Sequence, residues 1–184
     1  MKKALRFSYG LLFAFASIFF SASAFAQTSK DDVEMVKDSK DAIKDFIHTD
    51  SLLKKVIKSA YGYVVFPNVG KGAIGVGGAS GGGILFRSGS PVGKAQMTQV
   101  TVGFQFGGQA YREVIFFEDQ KTFDNFKQNK FEFSAQASAV AAKAGASANA
   151  KYSDGVMIFT QIKGGLMYEA SIGGQKFKYK PFSK

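Results

Sequence analysis

Residues 61 to 87, YGYVVFPNVGKGAIGVGGASGGGILFR, decide how the rest of the chain is read. The stretch joins an extended apolar segment, Tyr61 to Phe66, to a Pro67-Asn68 turn and a ladder of glycines at positions 70, 72, 75, 77, 78, 81, 82 and 83. Glycine gives up side-chain packing and costs chain entropy, so such a ladder marks places of close backbone approach or positive φ. The spacing predicts short strands at 61–66, 73–76 and 83–87, separated by the Pro-Asn turn and the glycine clusters. A phosphate cradle requires G-x-x-x-x-G-K with Ser or Thr, or G-x-G-x-x-G opening a helix. Here Lys71 precedes Gly72, the third glycine expected after Gly75 and Gly77 falls on Ser80, and Ile84-Leu85-Phe86 reads as a strand. The ladder speaks of fold, not of nucleotide chemistry.

Working toward the C-terminus, 88–93 reads as a loop, 96–107 alternates polar with apolar, and 111–117 is a mostly apolar strand stopped by Glu118-Asp119. Asp119 is placed to cap a short helix in which Phe123 and Phe126 share a face, ending at Gln128-Asn129-Lys130. The segment 131–152 is read as small-residue strands, because a helix would put Phe131 and Phe133 on opposite sides. A turn at Ser153-Asp154-Gly155 is followed by strands at 156–162, 166–172 and 176–179. Gly62-Tyr-Val-Val-Phe66 is echoed by Gly155-Val-Met-Ile-Phe159, and Lys71-Gly72-x-Ile74 by Lys163-Gly164-x-Leu166, which predicts two related β units facing across a pseudo-two-fold.

Working toward the N-terminus, residues 29–48 carry mixed charges around Val33, Val36, Ile43, Phe46 and Ile47, the spacing of an amphipathic helix. A second, short helix starts at Thr49, Asp50 or Ser51, with Leu52, Leu53, Val56 and Ile57 on one face and Lys54, Lys55 and Lys58 on the other. Such a basic amphipathic helix can lie on a membrane or pack its apolar side on its own domain. The first residues combine Lys2, Lys3 and Arg6, an apolar run from Leu11 to Phe20 and the small-x-small site Ala24-Phe25-Ala26, the pattern of a secretory signal peptide cleaved after Ala26. That apolar run is about half of the roughly 20 residues needed to span a bilayer.

The 158 residues from Gln27 to Lys184 suffice for one domain with a core. With no cysteine, disulfides, thiolate metal sites and a lipid-modified cysteine are excluded. The whole chain carries net +10; beyond Ala26, 21 Lys and Arg face 14 Asp and Glu, leaving +7. A basic surplus suits an acidic partner, and outside the cytoplasm the common polyanions are phospholipid headgroups rather than nucleic acid. It also serves solubility. The single histidine, His48, sits at a helix C-terminus where the dipole favours it, and one imidazole cannot build a metal site or a triad with the residues around it. Asp31-Asp32 and Glu118-Asp119 read as helix-start charges. No catalytic constellation and no cofactor site emerges. What does emerge is the C-terminal run Lys176-Phe177-Lys178-Tyr179-Lys180, which as a strand puts its lysines on one face and its aromatics on the other. The candidate lipid-binding residues are Lys54, Lys55, Lys58, Lys71, Lys176, Lys178 and Lys180, to which Arg87, Lys94 and Arg112 would be added only if the fold gathers them. An edge strand also uses lysine to block unwanted pairing.

The aromatic-Val-Val-Phe-Pro-Asn-Val run, the Lys71-Gly72 step, Gly75-Val76-Gly77-Gly78, Val102-Gly103-Phe104-Gln105-Phe106-Gly107-Gly108-Gln109 and Lys163-Gly164-Gly165-Leu166 together resemble the SYLF lipid-binding domain family. The resemblance implies binding of acidic phospholipids, with actin binding in some eukaryotic members. The signal pattern and the absence of an attached SH3 or FYVE domain turn the expectation away from actin and toward a bacterial envelope. The expected fold is α+β: N-terminal amphipathic helices followed by a mostly antiparallel, glycine-rich sheet or flattened barrel with an internal pseudo-repeat and one short inserted helix. The expected organisation is 1–26 signal peptide, 27–60 helical region and 61–184 β-rich domain, the last two forming one unit. The expected function is a non-enzymatic module, exported to the periplasm, that docks peripherally on anionic phospholipid. A small outer-membrane β-barrel and an envelope assembly factor are the alternatives; the helices and the shortness of several predicted strands count against the barrel.

Overall fold

The computed structural model describes residues 10–74, 76–101, 109–133, 138–163 and 170–182. Helix α1 spans Gly10–Thr49, α2 Leu53–Ser59 and α3 Gln120–Lys127. The strands are β1 Gly62–Ile74, β2 Val76–Arg87, β3 Ser90–Thr101, β4 Gln109–Phe117, β5 Ser138–Ala141, β6 Val156–Ile162, β7 Ala170–Ser171 and β8 Gln175–Pro181. They form an eight-stranded sheet of order β7-β5-β6-β4-β1-β2-β3-β8, antiparallel except between β5 and β6. The α+β expectation is met. The chain divides into two compact units, Met1–Glu34, which holds the first part of α1, and Met35–Lys184, which holds everything described below.

The glycine ladder folds differently from its sequence reading. β1 does not stop at Pro67-Asn68 but continues for 13 residues. Its register against β4 shifts between Phe66 and Val69, so the pair forms a bulge, where a proline without an N–H costs no ladder bond. β2 likewise runs unbroken for 12 residues. The predicted loop at 88–93 shrinks to two residues, Ser88 and Gly89, both left-handed at φ 51° and 78°, the twist that suits a two-residue hairpin. Pro91 lies inside β3, beside a register shift at Leu85/Phe86.

Alternation gives the sheet two buried faces. Val64, Phe66, Leu85, Met97, Tyr111, Ile115, Phe117, Ile158 and Phe177 point inward and meet Phe123 and Phe126 of α3. Tyr63, Val65, Ile84, Phe86, Val114, Phe116, Met157 and Phe159 point outward and pack under Ala42 and Phe46 of α1 and Leu53 of α2. Each such side chain contributes roughly 1.5–3 kcal/mol on burial. The sheet is curled strongly enough that the rings of Phe66 on β1 and Phe177 on β8, separated in the sheet by β2 and β3, lie 5.8 Å apart.

From residue 35 onward α1 crosses the outer face obliquely. Ser39 Oγ donates to the Val65 carbonyl at 3.5 Å, Asp45 pairs with Arg112 of β4 at 2.8 Å, and Gln161 of β6 donates to Thr49 Oγ1 at 2.7 Å. The corner between α1 and α2 is held by Asp50, whose carboxylate accepts from Leu52 N–H at 3.1 Å and from Ser147 N–H at 2.7 Å. That second bond draws the 142–152 segment over the corner. It is one reason this stretch, expected as strand, is a loop with a 3-10 turn at Ala146–Ala148; among the described residues of 131–152, only the short β5 and a bridge from Glu132 to Lys176 pair as strand. Residues 134–137, also expected as strand, lie outside the described residues.

Asp119 caps α3 as expected, accepting from Thr122 N–H at 2.8 Å. The internal echo has a physical origin in this helix. β1 and β6 flank β4 and run in the same direction, Gly62 and Val156 both opposite Phe117. A Cβ on Gly62 would stand 2.5 Å from a Phe123 ring carbon, and one on Gly155 2.4 Å from Thr122 Oγ1. Both echoed segments thus open with a glycine that makes room for the first turn of α3. The second half of the echo, Gly164-Gly165 onward, lies outside the described residues.

Candidate functional site: a basic strand pair and a buried polar cluster

The outer face changes character across a single cross-strand row. Pairing places Phe159, Val114, Val65, Ile84, Lys94 and Lys180 side by side on β6, β4, β1, β2, β3 and β8. The first four residues of the row belong to the apolar cluster that the helices cover. At β3 and β8 it becomes cationic. Gln96 lies opposite Lys178 and Thr98 opposite Lys176, and all four are exposed, as is Lys180. Neither β3 nor β8 contains an acidic residue. Phe177 and Tyr179 turn inward, as the alternation predicts; Phe177 is buried and Tyr179 donates its hydroxyl to the Val92 carbonyl at 3.0 Å. The edge of β8 facing away from β3 is partly occupied, because the Oδ1 of left-handed Asn129 accepts from Tyr179 N–H at 2.5 Å and Phe133 N–H donates to the Gln175 carbonyl.

Lys54, Lys55 and Lys58 are exposed on α2, whose Val56 and Ile57 pack on the apolar cluster; the helix sits on its own domain. Phe182, just beyond β8, packs on that same cluster. Lys71 lies within β1, paired with Ala79 and Gln109, and its side chain is outside the described residues. Among the described residues Lys54, Lys55, Lys58, Lys178 and Lys180 form no ion pair, while Lys176 meets Glu132 at 3.6 Å. Two of the added cations are committed elsewhere. Arg87 lies over the Tyr61 ring at 3.5 Å and donates to the Tyr61 carbonyl at 2.6 Å, and Arg112 is paired with Asp45. Lys94 is gathered beside Lys180.

A second polar group went unread in the sequence. Gln99, Glu113, Thr160 and Gln175 are all buried on the inner face, with Tyr111 beside them. Gln175 Nε2 donates to Glu113 Oε2 at 3.0 Å and lies 3.4 Å from Gln99 Oε1, and Gln99 Nε2 donates to the Gly173 carbonyl at 3.0 Å. Burial, together with the Glu113 carboxylate, pushes the Tyr111 phenol above its ordinary range. The signal was available: in YREVIFF, Glu113 shares the parity of Tyr111, Ile115 and Phe117, the positions that alternation turns inward. These side chains tie β8 to β4 across the curl. They are a structural network, since the amides and the phenol bind one another.

Comparison with known proteins addresses the family. Residues 98–180 match the family model described as Ysc84, Las17-binding protein actin regulator. The matched segment runs from β3 to β8 and includes the basic strand and the buried cluster, but not residues 61–87. Beta cell expansion factor A of Aeromonas veronii is 38% identical over 71 residues, which cover 39% of this chain and 27% of that protein, so the match spans about a quarter of the relative's length. That family is one of binding domains, associated with lipid and actin binding, and is not known for enzymatic activity. Over residues 98–180, this chain is similar to the family described as Ysc84.

Proposed function

We propose that this chain is a non-enzymatic lipid-binding module that is exported to the cell envelope and docks peripherally on anionic phospholipid. The observation that carries the reading is the set of exposed lysines on α2 and β8, of which only Lys176 has an acidic partner among the described residues. A lysine held near an anionic bilayer is worth about 1 kcal/mol before screening. The N-terminal signal pattern supports export and so an envelope surface as the available polyanion. The strands β1 to β4, 9 to 13 residues long, are longer than their sequence reading and no longer argue by length against a membrane barrel. The side-chain pattern argues instead: this sheet is apolar inside and carries helices and lysines outside, the inverse of a spanning barrel.

Vesicle flotation tests the proposal. The protein starting at Gln27 is expected to float with vesicles containing phosphatidylglycerol at low salt, to dissociate as ionic strength shortens the Debye length, and to ignore phosphatidylcholine vesicles. Equal binding to both vesicle types, or to neither, refutes it. Resistance to carbonate extraction from membranes would favour the barrel, and capture of an envelope protein without lipid dependence would favour the assembly factor.

A further inference from the structure

We infer that the 142–152 loop joins α2 in one basic surface without acidic side chains, and that Lys143 and Lys151 of the loop contact anionic phospholipid there. The inference rests on the lipid-binding reading above and adds the part of the molecule that carries it.

Both segments belong to the 35–184 unit and pack on the same outer cluster, α2 through Leu53, Val56 and Ile57 and the loop through Ala142, Ala150 and Tyr152. Their backbones meet at Asp50, whose buried carboxylate accepts from Leu52 N–H just ahead of α2 and from Ser147 N–H in the middle of the loop. Ala142 N–H donates to the Thr160 carbonyl at 2.7 Å and ties the start of the loop to β6. Lys143 lies between these two ties, and its own carbonyl accepts from Ala146 N–H at 3.0 Å. Lys151 follows Ala150 and precedes Tyr152, both packed on the cluster. This corner lies past Thr49, about 21 Å along α1 from Met35. Its charge pattern is one-sided. Residues 51–60 and 142–152 hold Lys54, Lys55, Lys58, Lys143 and Lys151, all exposed, and no Asp or Glu. Asp50 itself is bonded to backbone, and none of these lysines forms an ion pair among the described residues. Other exposed lysines do meet acids: Lys37 and Lys44 share Asp41, Lys127 meets Asp124 and Lys176 meets Glu132. Exposed apolar side chains flank the same two segments, Leu52 just before α2 and Val140 two residues before the loop. Lysines beside exposed apolar chains suit a bilayer interface, where phosphates take the ammonium groups and the apolar chains enter the boundary beneath.

The test measures partition onto vesicles of phosphatidylglycerol and phosphatidylcholine for wild type, Lys143→Glu with Lys151→Glu, and Lys121→Glu with Lys130→Glu. The last pair makes the same change in net charge beside α3, which covers the opposite face of the sheet. Each lysine near an anionic surface is worth roughly a factor of five in partition, so the loop variant is expected to lose about 25-fold or more and the α3 variant less than about 3-fold. All four substituted lysines are exposed, and unchanged thermal unfolding confirms that the variants fold. Asp50→Ala separates placement from bulk charge: it makes the chain more positive yet releases the loop, and is expected to bind about 3-fold or more weakly than wild type while still folded by circular dichroism. If the loop and α3 variants lose binding equally, or the loop variant binds normally, the surface is misassigned while the lipid-binding reading stands. Asp50→Ala binding as well as wild type or better removes Asp50 as the organiser of that surface. If wild type itself ignores anionic vesicles, the surface and the lipid-binding reading are both wrong.

Discussion

Replacing Gly83 by alanine tests the claim that the ladder exists for close approach of backbones. A Cβ at Gly83 would stand 2.4 Å from the Val65 carbonyl oxygen and 2.6 Å from Cδ1 of Phe66. Both neighbours are fully buried, and Phe66 packs against Phe177, so neither has room to yield. Overpacking of this kind costs about 1–3 kcal/mol. Gly70 belongs to the same ladder, yet a Cβ there would meet nothing within 4 Å. Its φ is not positive, so Gly70→Ala is expected to gain about 0.4–1 kcal/mol by restricting the unfolded chain. For a chain of this size each kcal/mol moves Tm by about 2–4 °C, and the two variants should melt on the order of 5–10 °C apart. Urea denaturation followed by far-UV circular dichroism and tyrosine fluorescence gives the free energies directly, the chain having 7 Tyr and no Trp. Equal stabilities for the two variants would refute the reasoning, since propensity alone treats both strand glycines alike.

Asp50→Ala should cost about 1–3 kcal/mol by stripping a buried acceptor from Ser147 N–H and Leu52 N–H, and should loosen the 142–152 segment to proteolysis; protection equal to wild type would contradict it. Burial alone would raise the Asp50 carboxyl, but the N–H groups of Ser147, Leu52 and Gly145 hold it below the usual carboxylate value. A depressed folded value means its contribution is complete above about pH 4 and is lost as pH falls through that value, so Asp50→Asn should flatten this acid limb of the stability profile. Glu113→Gln keeps shape and a carbonyl acceptor for Gln175 while removing a buried carboxylate, and should hold or raise stability at pH 7. Glu113→Ala should lose about 2–4 kcal/mol, and urea midpoints showing Gln as damaging as Ala would contradict the network reading.

Much of this protein is legible without coordinates because its signals are local. The period-two runs at Tyr111 to Phe117 and Val156 to Ile162, the cap at Asp119, the turn at Asp154-Gly155 and the lysine-out, aromatic-in alternation of β8 each follow from a few neighbouring residues. Residue type settles them before any long-range contact forms. Other features depend on partners distant in the chain. Pro67-Asn68 reads as a turn by composition, and only pairing of β1 with both β2 and β4 makes it a bulge inside one long strand. The alanine-rich 142–152 segment has no strong preference of its own, and its path includes a bond from Ser147 to Asp50, 97 residues away. Glu113 looks like a surface charge until the curl brings Gln175 to it.

The same division holds for the candidate site. Sequence alone determined that β8 presents lysines on one side, because strand alternation allows nothing else. It could not say that Arg112 is spent on Asp45 and Arg87 on Tyr61, or that Lys94 stands opposite Lys180, because register and helix placement are set by burial of apolar surface over the whole sheet. Local chemistry writes the strands and their faces; only the tertiary packing decides which face is left open to a partner.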